Sequence, residues 1–316
     1  MNTGQSQALW RRKPAKLWVY TKDGTVFRRF YRWLNEQKGL RERWWDLRAA
    51  TQSMLAYKLE TGAKLSLYSD DQFSKAIFVQ RFEADERDFI CRYLAAGDIF
   101  VDVGANIGLF TLLGAGVVGP HGKVYALEPT TTTYERLVHN VTQNHLKNVT
   151  CFQVALSDQD EERMLTISTE GLAAWNSLAH PCVGTHFAQE QIRCYQWDTF
   201  VTEHDLTGRV TLMKIDIEGW EFYMLQGAQV TLRRADAPDL LVEFTEVNAN
   251  AAGVTGAAVY ELLETFGYRL YRIVPKQKSL YPAIEKEYGY ENLVATKRIE
   301  QVCRRTGYKV VLPPKV

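Results

Sequence analysis

The sequence predicts an α/β fold, a mostly parallel sheet with helices on both faces. From residue 98 to 154, β-rich apolar runs alternate with helical periodicity: strand 98–103, helix 106–118, strand 123–128, helix 131–145, strand 149–154. The alternation resumes with strand 210–215, a helix from about Trp220 to Arg234, strand 239–244 and a helix around Ala257 to Phe266. At the start of the first run, Phe100-Val-Asp-Val-Gly-Ala-Asn-Ile-Gly-Leu-Phe-Thr111 carries an apolar strand through a glycine-punctuated turn into an apolar helix. Open α/β sheets receive ligands at such a strand exit.

Ahead of this core, residues 8–48 hold twelve Lys or Arg against four Asp or Glu, while the whole chain carries +1. Aromatics crowd the same segment: Trp10, Trp18, Tyr20, Phe27, Phe30, Tyr31, Trp33, Trp44 and Trp45. Residues 1–62 are therefore expected to form a basic, aromatic helical extension. It acts either as a cap whose arginines stay wet, or as a peripheral contact with an anionic membrane. Over 63–97, Lys64–Tyr68 and Ala76–Val79, separated by Ser69-Asp-Asp-Gln72, read as a hairpin, and a helix runs from about Glu83 to Ala95. The core itself spans 98–274. Thr132-x-x-Glu135 matches a capping box at the start of its second helix. Gly171 to Gln191 is polar and irregular, the composition of a functional loop. Gly267–Ile273 and Asn292–Thr296 suit an antiparallel ribbon that closes the sheet, within and beyond the start of a C-terminal extension, 275–316.

The five cysteines are scattered without C-x-x-C spacing, so neither a disulfide framework nor a zinc site is indicated. With no apolar h-region near the start, and with Asp102 and Asn106 interrupting the longest apolar run, a cytoplasmic protein is expected, with the inner membrane face as its peripheral option.

Asp102 decides the ligand class. Dinucleotide-binding turns begin with glycine and receive a pyrophosphate, which a carboxylate would repel. An acid there suits a cofactor with a cationic end, and S-adenosylmethionine carries an ammonium and a sulfonium but no phosphate. Lys123-Val-Tyr-Ala-Leu-Glu128 then supplies a second strand ending in an acid that can accept ribose hydroxyls, with Pro129 stopping the strand. Four acids end strands in this way: Asp102, Glu128, Asp216 and Glu243.

The pair DVGANIGLFT and MKIDIEGWEFYMLQGA, with FQVALSD after the third strand, resembles the FkbM-type S-adenosylmethionine-dependent methyltransferases over roughly residues 65–275. The resemblance implies a class I methyltransferase (Rossmann-like) fold with a seven-stranded, mostly parallel sheet, and O-methylation of a sugar, glycan or related hydroxylated metabolite. It also implies roles by motif position. Asp102, Gly104, Ala105, Asn106 and Gly108 would form the methionine-side turn, and Glu128 with Pro129 the ribose clamp. Ala155, Leu156, Ser157 and Asp158 would edge the adenine, and Asp216 would face the transferred methyl.

Methyl transfer from a sulfonium needs an acceptor oxygen held in line at roughly 3 to 3.5 Å. A base that takes the hydroxyl proton typically adds about a hundredfold to ten-thousandfold. Asp216 is the first candidate, with His180, His186 and Glu243 behind it. Asp216 and Glu243 are also the pair that could hold Mg²⁺, placed second to a metal-free site. Trp175, Asn176 and Ser177 on the irregular insert, with Lys214 and Glu218 beside Asp216, are candidate acceptor contacts. Sugars, lipid-linked glycans, polyketides and phenols all fit a positioning pocket. The exit of the 210–216 strand lacks the Asn-Pro-Pro-Tyr type of motif, which argues against a nucleic-acid base. The remaining alternatives are a nucleic-acid or lipid-linked substrate reached through the basic arm, or a binding protein that keeps the fold without turnover.

Overall fold

In this computed structural model, residues 38–80, 82–168, 178 and 186–311 are described. Most of the basic segment, residues 8–37, lies outside them. Its last turns form a helix, Lys38–Ala49. Trp45 there is 2% exposed, and Trp44 stacks on Phe78 at 5.2 Å, so these two tryptophans serve as cap.

The expected hairpin exists with a different partner. β1 (Met54–Lys58) pairs antiparallel with β2 (Lys64–Tyr68), across the expected boundary at residue 62, whereas Ala76–Val79 lies inside a helix, Gln72–Gln80. Asp71 is the physical cause. Its carboxylate accepts from the amides of Phe73 (3.2 Å) and Ser74 (2.9 Å), satisfying first-turn donors that a strand would not expose. A helix Ala84–Tyr93 follows.

The core strands follow in chain order: β3 (Ile99–Val103), β4 (Lys123–Leu127), β5 (Val149–Phe152), β6 (Ala155–Leu156), β7 (Glu161–Ser168), β8 (Phe187–Tyr195), β9 (Leu212–Ile215), β10 (Asp239–Phe244), β11 (Arg269–Val274), β12 (Ser279–Pro282), β13 (Glu291–Thr296) and β14 (Lys309–Val310). The main sheet has nine strands, not seven, in the order β14-β12-β11-β13-β10-β9-β3-β4-β5. The five strands from β10 to β5 run parallel, and β13 and β11 join antiparallel as the expected ribbon. The two extra strands, β12 and β14, come from residues after 275, so the C-terminal segment builds the sheet instead of appending to it. A smaller sheet, β6-β8-β7, claims Phe187–Gln191, the end of the stretch expected to be irregular.

Alternate residues of the parallel strands serve opposite faces. Phe100, Leu212 and Leu241 pack on one side with Leu112 and Leu113 of the helix Leu109–Val118. Val101, Met213 and Val242 pack on the other with Leu225 and Leu263. With both faces covered, the strands read as continuous apolar runs instead of alternating ones. Three local expectations change. The first core helix starts at Leu109, not near Asn106. The helix Thr131–Gln143 begins at N-cap Thr130, whose hydroxyl goes to Glu128 instead of capping, and the expected box fails because Thr132 already lies inside the helix. The 220–234 helix is two pieces, Glu221–Gln226 and Gln229–Arg233. Among the described residues no helix is long and apolar enough to cross a membrane.

Candidate active site

β3, β4, β9 and β10 all end at one cavity of about 460 Å³, a size suited to a small cofactor with its reaction partner. It lies where the strand order reverses beside β3, the switch point of an open α/β sheet.

Gly104 leaves β3 at φ +79°, and a Cβ on it would stand 1.8 Å from the carbonyl oxygen of Asp216 at the end of β9. The two strand exits touch here, which fixes Asp216 against the turn. The turn offers no anion cradle. The amides of Gly104 and Ala105 donate to the Leu127 carbonyl, that of Asn106 to Glu128 Oε2 (3.0 Å), that of Ile107 to Asn106 Oδ1 and that of Gly108 to the Ala105 carbonyl. Glycine turns that open a helix commonly aim unpaired N–H groups at a ligand. In the structure all five are consumed, which suits a cofactor without phosphate.

Glu128, Pro129, Ala155 and Leu156 line one end of the cavity with Gly104, Ala105 and Asn106. Glu128 Oε1 is filled by the amide and hydroxyl of Thr130 (3.1 and 2.6 Å), whereas Oε2 accepts only from the Asn106 amide and keeps a lone pair for a ribose hydroxyl. Asp102 does not reach the cavity wall. It is 1% exposed and accepts from the Thr111 hydroxyl at 2.5 Å, while its Oδ1 is buried without a hydrogen bond. Its charge acts from one layer behind Gly104. Burial pushes its carboxyl up, and Lys214 opposes that shift. Gly108, Ser157 and Asp158 also lie off the wall. Ser157 Oγ instead accepts from the indole of cavity-lining Trp220 at 3.0 Å and donates to Asp158.

The wall beside Gly104 has an acidic end: Glu83, Asp216, Glu218 and Glu243 line the cavity with Lys214, Asn248 and Tyr290. Lys214 Nζ donates to Asp216 Oδ2 at 2.5 Å, lies 4.0 Å from Glu83 and sits over the Phe110 ring. Burial works to lower its pKa, but the carboxylates of Asp216, Glu83 and Asp102 outweigh burial and hold it above the ordinary lysine value. Glu218, in the left-handed region at φ 55°, accepts from Asn248 Nδ2 at 2.7 Å. Burial, then the charge of Asp216, lifts both Glu218 and Glu243 well above the usual carboxylate range.

The structure thus brings together Gly104, Ala105, Asn106, Glu128, Pro129, Ala155, Leu156, Lys214, Asp216, Glu218 and Glu243. Trp175, Asn176, Ser177 and His180 lie outside the described residues. His186 is exposed and is not part of the wall. Sequence reasoning missed Glu83, Asn248, Tyr290 and the apolar Phe73 and Phe82. Asp71 before Gln72 was the one available signal, since a helix there carries Phe73 to the cavity.

Buried acids give the site a pH signature. Burial, the largest cause in each case, pushes Glu83, Glu128 and Glu221 up to about 7 from an ordinary 4.5. The folded protein keeps protons there that the unfolded chain releases near pH 4.5. Stability is therefore unaffected by these groups below about 4.5, and falls as pH rises towards 7 by up to about 1.4 kcal/mol per group per pH unit. The melting temperature in chelator is expected to drop several degrees between pH 5.5 and 7.5, with a shallower fall in Glu128→Gln. Scanning calorimetry checks this, and a steady rise over that interval contradicts it.

A mostly parallel sheet with a cavity at its carboxyl strand ends, a buried acid after β4 and a turn with no amides to spare fit the class I methyltransferase fold. The Methyltransferase FkbM domain matches residues 102–270, and the chain belongs to this family of S-adenosylmethionine-dependent methyltransferases. No curated protein matches the chain. Among solved structures it is similar to a precorrin-6y C5,15-methyltransferase of Geobacter metallireducens (12% identity, 67% of this chain and 87% of that one, TM-score 0.37). It is also similar to a SAM-dependent methyltransferase of Aquifex aeolicus (15%, 67% and 89%, TM-score 0.38) and a SAM-dependent O-methyltransferase of Thermotoga maritima (14%, 77% and 77%, TM-score 0.39).

Proposed function

We propose that this protein methylates a hydroxyl oxygen of a small polyhydroxylated acceptor, a sugar or glycan. The observation that carries this reading is the cavity's acidic end, where Glu83, Asp216, Glu218 and Glu243 offer acceptors to several hydroxyl donors and Asn248 adds an amide. S-adenosylmethionine supplies an electrophilic methyl when bound. Glu128 binds a ribose hydroxyl, and Pro129, Ala155 and Leu156 give the adenine an apolar slot. Asp216, fixed by Lys214 through Oδ2, presents Oδ1 to the acceptor hydroxyl and takes its proton. Phe73 and Phe82 give that end an apolar wall, against which a sugar's C–H face can rest while its hydroxyls meet the carboxylates.

The test is to incubate the protein with methyl-labelled S-adenosylmethionine and extract from its own cells, then identify the product. Label on a carbohydrate oxygen supports the reading. Label on nitrogen, carbon or nucleic acid overturns it, and a protein that binds neither S-adenosylmethionine nor S-adenosylhomocysteine by calorimetry is a fold without turnover.

We also propose a cytoplasmic protein whose basic segment rests on anionic membrane. Because Trp45 belongs to the core, the informative truncation removes residues 1–37 and spares the helix Lys38–Ala49. It is expected to abolish sedimentation with phosphatidylserine vesicles and to leave melting unchanged. Equal sedimentation of both forms, or none by the full chain, leaves the cap as the segment's role.

A further inference from the structure

We propose that Asp216, Glu218 and Glu243 bind a hard divalent cation, Mg²⁺ or a similar ion, that grips the acceptor through two neighbouring oxygens. What the ion does for the acceptor rests on the methyl-transfer reading above, whereas its binding stands on the residues alone.

One oxygen from each of the three side chains lies within 4.8 Å of the other two. Around Mg²⁺, with bonds of about 2.1 Å, neighbouring ligands stand roughly 3 Å apart and opposite ones about 4 Å, and around Ca²⁺ opposite ligands reach roughly 5 Å. The triangle therefore closes on one ion through small side-chain rotations. The set is all oxygen, with neither His nor Cys, which selects Mg²⁺, Mn²⁺ or Ca²⁺ over zinc.

A second observation points the same way. Glu243 is 6% exposed, lines the cavity, and its Oε2 is buried without a hydrogen bond. Buried carboxylate oxygens are normally paired, because an unpaired one carries the full cost of lost hydration. Lys214 does not relieve it, since its hydrogen bond goes to Asp216 Oδ2. Four carboxyls share this end with that single ammonium, so either protons or a cation must offset their repulsion. A cation would leave coordination positions facing the cavity, and a vicinal diol or hydroxy-carbonyl acceptor can fill two of them. That chelation would fix one acceptor oxygen relative to the methyl donor, which is the positioning the reaction requires.

The experiment uses the full chain stripped with chelator. Mn²⁺ is titrated by electron paramagnetic resonance and competed with Mg²⁺, and S-adenosylmethionine is titrated by calorimetry on the same samples. One saturable Mn²⁺ per chain is expected, displaced by Mg²⁺ and weakened at least tenfold in Glu243→Gln and in Asp216→Asn, with cofactor affinity within about threefold of wild type. Circular dichroism checks folding, and Glu218→Gln carries the same expectation if Glu243→Gln fails to fold. No saturable Mn²⁺ on the wild type, or unchanged Mn²⁺ affinity in the folded variants, overturns the proposal. Cofactor binding without Mn²⁺ removes the ion and leaves the methyl-transfer reading intact. Mn²⁺ binding without cofactor supports the ion site and removes that reading.

Discussion

Asp216→Asn is expected to cut turnover about a hundredfold to ten-thousandfold while cofactor affinity stays within about threefold. Asparagine is nearly isosteric, and its carbonyl oxygen can still accept from Lys214, so the strand exit beside Gly104 keeps its shape. What disappears is the oxygen that can take a proton from the acceptor and carry negative charge beside it. At about 1.4 kcal/mol per decade, the loss amounts to roughly 3 to 5 kcal/mol of transition-state stabilisation. Single-turnover transfer of labelled methyl reads the chemical step, and calorimetry reads the cofactor. An unchanged rate removes Asp216 from the chemistry. The buried Lys214 also loses part of its compensating charge, so a lower melting temperature is expected as well.

Gly104→Ala is expected to abolish cofactor binding and to lower stability by roughly 3 to 5 kcal/mol. The added carbon would meet the Asp216 carbonyl oxygen at 1.8 Å and its carbon at 2.9 Å, both backbone atoms that cannot swing aside. The left-handed φ of +79° adds conformational strain. Gly307→Ala separates the two terms: it is left-handed (φ +72°, ψ 12°) but has nothing within 4 Å of the new Cβ, so about 1 to 2 kcal/mol and normal cofactor affinity are expected. If the two variants melt and bind alike, the close approach of β3 and β9 is not what shapes the site.

The parallel half of the sheet was legible because its central strands β3, β9 and β10 are buried on both faces, so apolar runs stand out against helical periodicity. The glycine turn and Glu128 were legible for the same reason, since both sit at the end of such a run. The hairpin partner was not. Ala76-Ile-Phe-Val79 is β-rich by composition, yet Asp71 caps a helix through it, and a local hydrogen bond overrode propensity. The position of Asp102 was half legible: its chemistry is visible in the sequence, its retreat behind the cavity wall is not. Glu83 could not be found at all. The Tyr290 hydroxyl donates to it at 2.8 Å from 207 positions away, a contact that exists only once the whole sheet has closed.

β13 bears on how the chain is made. Residues 291–296 slot between β10 and β11, both of which precede them in the sequence. While a ribosome is still short of that segment, β10 presents an open edge with Leu240, Leu241, Val242 and Phe244 on it, the kind of edge that recruits foreign strands. Synthesis at about 5–20 residues per second leaves it so for several seconds after Phe244 emerges. A stop codon anywhere between 245 and 290 should therefore yield aggregates instead of a shorter domain.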